Sequence, residues 1–101
     1  MIKRIVKLSF KPEHVATFQQ IFAESKEKIV AMKGCHSVDL LHSVEPDYIF
    51  FTYSIWDSEA DLNAYRHSEL FAATWARTKI LFNDRPQAWS TLLEDGATAR
   101  Q

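Results

Sequence analysis

The first ten residues alternate between apolar and polar side chains. The apolar residues that share one face of this segment are Ile2, Val6, Leu8 and Phe10. Arg4 is the exception on that face, while lysines and a serine occupy the opposite face. A period of two is typical of a half-buried β-strand, so we predict a strand over residues 2–10.

Apolar spacings of three and four follow and predict a long helix. Pro12 suits the first turn of a helix, because the N–H group that proline lacks would have no partner there. The apolar stripe then runs from Val15 to Met32. We expect Gly34 to end this helix, since glycine is favoured just after a helix C-terminus.

The second half of the chain predicts two strands, a helix in two pieces and a final strand. Strands are expected over residues 35–43 and 48–56, joined by a Glu-Pro-Asp turn. Ser58 and Ser68 each precede a helical segment as candidate N-caps. The last strand is predicted over residues 88–93.

The resulting order, βαββαβ, predicts an α+β fold of the ferredoxin-like, split βαβ type, with an antiparallel sheet and its helices on one face. The chain has 101 residues, which is the length of one domain. We assign that domain to residues 1–93 and expect residues 94–101 to form a flexible tail.

The third predicted strand is apolar on both of its faces. One face carries Ile49, Phe51, Tyr53 and Ile55, and the other carries Tyr48, Phe50 and Trp56 beside two smaller residues. A strand with one face in water should instead alternate apolar with polar residues. Because the helices can bury one face only, we predict a homodimer in which the sheets of two copies pack against each other.

The charge of the chain argues against several classes of partner. Its 12 basic and 13 acidic residues give a formal net charge of −1. We therefore expect no binding of nucleic acid or of an anionic membrane through a strong positive field. No segment has the roughly 20 apolar residues of a membrane helix, and the charged N-terminus is unlike a signal peptide. We expect a cytoplasmic protein.

The histidines and the single cysteine predict neither a metal site nor a nucleophile. His36 and His42 lie on one predicted strand, about 20 Å apart at roughly 3.3 Å per residue. Cys35 is adjacent to His36 in sequence, but neighbours on a strand point to opposite faces. The two glycines are too far apart for a glycine-rich phosphate loop.

An aromatic cluster between the sheet and the last two helical segments is the candidate site. Its predicted members are Trp56, Tyr65, Phe71 and Trp75, with His67 at the joint between the two segments. Aromatic walls with few polar groups suit a flat aromatic or phenolic ligand. The same spacing is also consistent with a packed core, in which His67 would be a hydrogen-bonding residue of the joint.

In its order of elements most of the chain resembles the antibiotic biosynthesis monooxygenase (ABM) family, and the likeness in sequence lies mainly between Trp56 and Trp75. The run Trp56–Ala60 is similar to a turn motif of that family, and His67-Ser68 resembles the histidine and small polar residue that follow it. The resemblance implies a small ferredoxin-like domain that dimerises. Members of the family include cofactor-free oxygenases of anthrone-like phenols, quinol oxygenases and haem-degrading enzymes.

Two branches of the family differ in the residues that they require. In the haem-degrading branch, a histidine iron ligand would fall at Trp75 and a tryptophan at Tyr65, so haem turnover is not expected. In the anthrone-oxidising branch, the strand-ending tryptophan matches Trp56, an asparagine corresponds to Thr52 and a late arginine to Arg77. The likeness to this branch implies a small aromatic, phenolic or quinol-like substrate and no cofactor.

We therefore predict a cofactor-independent monooxygenase with His67 as its base, because an unperturbed histidine titrates near ~6.5. The residues predicted to contact the substrate are Thr52, Trp56, Tyr65, Phe71, Trp75 and Arg77. Two alternatives stay open on the same fold. One is an isomerase or cyclase, and the other is a small-molecule-binding or stress-related dimer without catalysis.

Overall fold

A computed structural model describes residues 1–100 and has the predicted order of elements. These are β1 (Ile2–Ser9), a short 3-10 helix (Pro12–His14), α1 (Val15–Val30), β2 (Cys35–His42), β3 (Ile49–Trp56), α2 (Glu59–Arg66), α3 (Glu69–Lys79) and β4 (Gln87–Thr91). The strand ends differ from the predicted ones by at most two residues. Residues 92–100 follow β4 without regular structure, and their flexibility stays a prediction.

The four strands form one antiparallel sheet in the order β2-β3-β1-β4. This is the predicted α+β ferredoxin-like fold. The helices pack on the sheet face that carries Leu8, Phe50 and Trp56, and all three side chains are buried. Along β3, the residues that point to the opposite face are only partly buried in the single chain.

The hydrophobic core is divided into two clusters. The first, which we call the β1 cluster, consists of Leu8, Phe10, Phe18, Ile21, Phe50 and Leu81. The second, which we call the Trp56 cluster, consists of Ile29, Trp56 and Leu62. Helix α1 contributes to both clusters, so it spans the gap between them.

Two serine caps explain why the second helical region is broken. The hydroxyl of Ser58 accepts a hydrogen bond from the backbone N–H of Asp61 at 3.2 Å. The hydroxyl of Ser68 accepts one from the backbone N–H of Phe71 at 3.1 Å. Each bond satisfies an N–H group that the first turn of a helix leaves without a partner, so both predicted caps are confirmed.

Gly34 lies in the turn between α1 and β2, where the backbone packs closely against the first turn of α2. Its φ angle is +80°, a conformation that side chains with a Cβ rarely adopt. A Cβ at this position would also overlap the side chain of Asp61. The Gly34 carbonyl accepts a hydrogen bond from the N–H of Asp57 at 2.8 Å, which ties this turn to the end of β3.

Among residues 1–100, no helix is long and apolar enough to cross a membrane.

Candidate functional site

A cavity of about 400 Å³ lies between the two clusters of the core. Leu8 and Phe18 of the β1 cluster line one part of it, and Trp56 and Leu62 of the Trp56 cluster line another. The sheet forms its floor, and residues of all three helices complete its walls. Because the walls belong to packed clusters, the cavity is held open by the fold itself.

The side chains of β3 explain why the helices do not close over the sheet here. On the helix-facing side, this strand carries Phe50, Thr52, Ser54 and Trp56 in that order. The two large rings at the ends are fully buried, and the two small side chains between them line the cavity. A sequence of large, small, small and large residues therefore leaves a space at the middle of the strand.

Aromatic rings form one wall of the cavity. Trp56 stacks on Tyr65 with ring centroids 5.1 Å apart, and Tyr65 meets Phe71 edge to face at 5.3 Å. The rings of Phe71 and Trp75 are nearly parallel, with an interplanar angle of 9° and centroids 5.9 Å apart. Four of the residues predicted to contact a ligand are thus in one continuous series, and all four line the cavity together with Thr52.

The two polar groups of the aromatic wall differ in their state. The buried indole N–H of Trp56 donates to the hydroxyl of Ser54 at 3.0 Å. Burial raises the pKa of Tyr65 to about 12, with a smaller effect from Cys35. The Tyr65 phenol is therefore protonated at neutral pH and can donate a hydrogen bond but cannot act as a base.

Two arginines line the cavity that were not among the predicted site residues. Arg4 lies on β1 beside Ser90 of β4, and its Nη1 donates to the Ser90 hydroxyl at 3.0 Å. Arg66 is the last residue of α2. Burial, and secondarily the charge of Arg66, lower the pKa of Arg4. The sequence did carry a signal for Arg4, because it is the charged exception on an apolar strand face.

Two predicted site residues do not line the cavity. His67 is exposed, and its Nδ1 is 2.7 Å from the carbonyl oxygen of Asn63, one turn earlier in α2. Arg77 is also exposed, and its Nη2 pairs with Glu24 of α1 at 3.2 Å. The expected positions of these two side chains were therefore wrong: each finds a partner on a helix surface instead of facing the cavity.

The remaining candidates for metal binding or nucleophilic chemistry lie apart from the cavity. Within residues 1–100, no group of three or more His, Cys, Asp or Glu side chains could hold a metal ion. Cys35 packs against the Trp56 cluster, and burial raises the pKa of its thiol. His36 pairs with Asp57 at 2.5 Å on the exposed surface.

Solved structures with the same fold come from several organisms. This chain aligns with a structure named antibiotic biosynthesis monooxygenase with a TM-score of 0.88, at 19% identity over 94% of this chain and 100% of the other. The Rv0793 protein of Mycobacterium tuberculosis gives 0.86, at 18% identity over 96% and 98% of the two chains. A conserved protein of Methanosarcina mazei gives 0.85, at 19% identity over 89% of each. Identities this low establish the fold alone.

Sequence comparison adds a relative and a family. A Halobacterium salinarum protein that bears the name "Putative heme-binding protein" is 35% identical over 79 residues, or 76% of this chain. Those residues span only 16% of the length of that relative. The sequence profile of the antibiotic biosynthesis monooxygenase family matches residues 1–77, which include β1 to β3, α2 and most of α3. The chain therefore belongs to the antibiotic biosynthesis monooxygenase family.

Proposed function

We propose that the protein binds a small aromatic molecule in the cavity and oxidises it with O2 without a cofactor. The observation that carries this proposal is the cavity of about 400 Å³ with a wall of aromatic rings, in a chain of the ABM family. The wall offers stacking surfaces from Trp56 to Trp75. A phenolic or quinol-like ring system would match these surfaces.

The proposed reaction needs no external reductant. An activated CH2 group of an anthrone-like substrate loses two hydrogens, one oxygen atom of O2 becomes the new C=O, and the other leaves as water. The substrate supplies the electrons once it has become an anion. The protein would exclude water with its apolar walls and stabilise the anion through hydrogen bonds, among them one from the Tyr65 phenol.

The described walls of the cavity do not supply a base for this reaction. Among the described residues that line the cavity, none carries a carboxylate, an imidazole or an amine. The role of His67 as base therefore stays a prediction, and it requires the ring to leave the Asn63 carbonyl. The same observation favours the second candidate function, a protein that binds an aromatic ligand without turning it over. An isomerase or cyclase would also need an acid or base.

The name of the Halobacterium relative raises haem as a candidate ligand. Haem iron in proteins is held by histidine, cysteine, methionine or tyrosine. Of these residue types, Tyr65 alone is among the described residues that line the cavity. Its pKa of about 12 opposes the phenolate that would bind iron. The described residues that line the cavity do not fit haem, and no step of the proposed reaction uses it.

We also propose the homodimer, with the uncovered sheet face as its interface. Neighbouring strands place Tyr53, Ile5 and Trp89 in one row across this face. Trp89 is 48% exposed and Leu41 is 52% exposed in the single chain. Lys3 and Lys7 lie on the same face, opposite Ile55 and Phe51, so the apolar residues form a patch within it. An exposed apolar patch is typical of a surface that is buried on association. The predicted cytoplasmic location stays a prediction.

Oxygen uptake with an anthrone and with a quinol tests the oxygenase proposal, after subtraction of the rate without protein. Wild-type protein should raise the rate, and Thr52→Leu should reduce the increase, because the larger side chain takes up part of the cavity. Thr17→Leu makes the same change at an exposed position of α1 and should leave the rate as in wild type. Stabilisation by the ligands without oxygen uptake would support the binding function instead.

A further inference from the structure

Arg4 and Arg66 place two positive charges at a cavity whose walls are otherwise apolar or uncharged. We infer that the ligand is an organic anion, with its carboxylate, phenolate or enolate oxygen bound by these two guanidinium groups. Its apolar ring system would then lie against the aromatic wall. This inference rests on the proposed binding of a small molecule in the cavity, and it adds the class of ligand.

The two arginines reach the cavity from different layers of the fold. Arg4 projects from the sheet, where its neighbours across the strands are Ser54 and Ser90. Arg66 comes from the end of α2, in the helical layer. A side chain from the floor and one from the wall can thus contact the same group of a ligand from two directions. The sequence separates them by some 60 positions, so this meeting is a product of the fold.

Within residues 1–100, neither guanidinium group has an anionic partner. The salt bridges of residues 1–100 join His36 to Asp57 and Arg77 to Glu24. A cation that is partly removed from water without a counter-charge is costly, and two of them close together repel each other. The lowered pKa of Arg4 has these two causes, burial first and Arg66 second. A bound anion would relieve both.

The donors needed for such a ligand are available. A guanidinium group has five N–H donors, and the hydrogen bond to Ser90 uses one donor of Arg4. The planar fork of arginine matches a carboxylate with two parallel hydrogen bonds. Arg66 is exposed, so it lies where the cavity meets solvent and an anion can approach it directly.

The two arginines can compensate for the absence of a base among the described residues that line the cavity. Two cations favour the ionised form of a bound phenol or enol over its neutral form, because an opposite charge nearby lowers the pKa of an acid. A ligand that enters already ionised, or that loses its proton to solvent water beside the exposed Arg66, does not need a neighbouring carboxylate or imidazole.

Naphthoate and its neutral amide, naphthamide, form a suitable pair of probes, since they share the ring system and differ in charge. Isothermal titration calorimetry at neutral pH should show naphthoate binding wild-type protein at least about tenfold more tightly than naphthamide. Arg66→Gln should weaken naphthoate about tenfold and leave naphthamide unchanged, and Arg4→Gln should do the same. Lys79→Gln removes one positive charge from an exposed position of α3 and should change neither affinity.

The titration tests whether Arg4 and Arg66 bind the anionic group of the ligand. Selective loss of naphthoate affinity in the arginine variants supports the inference. Equal binding of both probes to wild type, unaffected by Arg66→Gln, would overturn the anion inference while the proposed binding function stands. If Lys79→Gln lost as much naphthoate affinity as Arg66→Gln, the affinity would depend on the net charge of the protein alone. That result would also overturn the anion inference. Binding of neither probe would overturn both proposals. Because Arg66 is exposed, Arg66→Gln leaves the core unchanged and is expected to fold like the wild type.

Discussion

The rings of Trp56 and Tyr65 stack with centroids 5.1 Å apart and planes inclined by 23°. This contact joins the end of β3 to α2, and it places the tyrosine against a tryptophan that is fully buried. Removal of the Tyr65 phenol from water raises its pKa to about 12. The stacked pair therefore both forms part of the cavity wall and holds a proton on the tyrosine.

The raised pKa of Tyr65 predicts a late step in alkaline titration. An acid whose pKa is raised by folding stabilises the protein below its unfolded pKa, near ~10 for tyrosine, and this stabilisation is lost as the pH rises through about 12. Tyr65→Phe should remove one tyrosinate absorbance step near that pH and reduce the alkaline loss of stability by up to about 3 kcal/mol. A loss of tyrosinate absorbance at the ordinary tyrosine pH range instead of near pH 12 would contradict the raised pKa of Tyr65.

The space above Thr52 predicts a stabilising substitution. Thr52→Leu should place apolar atoms in the cavity and raise the free energy of unfolding by about 1 kcal/mol, as cavity-filling changes do. Thr52→Val keeps the volume and removes the hydroxyl, so it separates the effect of filling from that of polarity. Urea unfolding of the three proteins measures the difference. Destabilisation by leucine but not by valine would mean that the cavity cannot accept the larger side chain.

The turn at Gly34 predicts a large cost for a single methyl group. Gly34→Ala should destabilise the fold by about 2 kcal/mol, because its positive φ angle is unfavourable for alanine and its Cβ would overlap Asp61. Gly96→Ala is the matched control: the nearest atom to its Cβ would be Leu93 Cδ1, at an ordinary 3.6 Å. That variant should keep wild-type stability within about 0.5 kcal/mol in thermal or urea unfolding. Equal stability of the two variants would contradict the role assigned to the turn.

The uncovered sheet face predicts how the dimer can be separated. Phe51→Glu places a charge on this face, away from the helices, and should convert a dimer into folded monomers in sedimentation velocity experiments. Val44→Glu makes a similar change at a valine that is 98% exposed and should leave the dimer intact. If Phe51→Glu remained dimeric, the interface would have to lie on another surface. If the wild-type protein were monomeric, the homodimer would be refuted.

The position of His67 predicts a small effect for a residue that the sequence singles out as a base. Because its Nδ1 faces the Asn63 carbonyl and not the cavity, His67→Ala should leave the affinity for naphthoate unchanged. If the imidazole keeps this position during turnover, oxygen uptake should also be unchanged for any substrate that the wild type oxidises. Loss of turnover with unchanged affinity would instead show that the imidazole turns toward the bound substrate.

Local interactions account for what the sequence predicts well. The caps at Ser58 and Ser68 join residues three positions apart, so composition and spacing are enough to locate them. The strand faces follow from alternation in the same way, which is why Trp56 and Thr52 were assigned to one side of β3. The aromatic residues of α2 and α3 could be grouped because each lies on the helix face that points to the sheet.

What the sequence does not reveal depends on geometry between distant elements or on competition for partners. Arg4 and Arg66 line the same cavity because of how α2 packs against the sheet, which no pattern within either segment encodes. The orientation of His67 results from a competing backbone carbonyl one turn away. A bulge at His36 shifts the pairing of β2, so that Cys35 lies beside Trp56 and Ser37 beside Ile55. Simple alternation gives no sign of this extra residue.

The division of the core into two clusters has a consequence for how this protein can evolve. Side chains such as Thr52 face open space, so a change of size there disturbs few neighbours and should cost less stability than one within either cluster. Mutations can therefore accumulate around the cavity and alter its shape and polarity while the β1 and Trp56 clusters preserve the fold. A scaffold of this kind can exchange one ligand for another over generations without a loss of foldability, and sequence divergence is then expected to be fastest where ligand preference is decided.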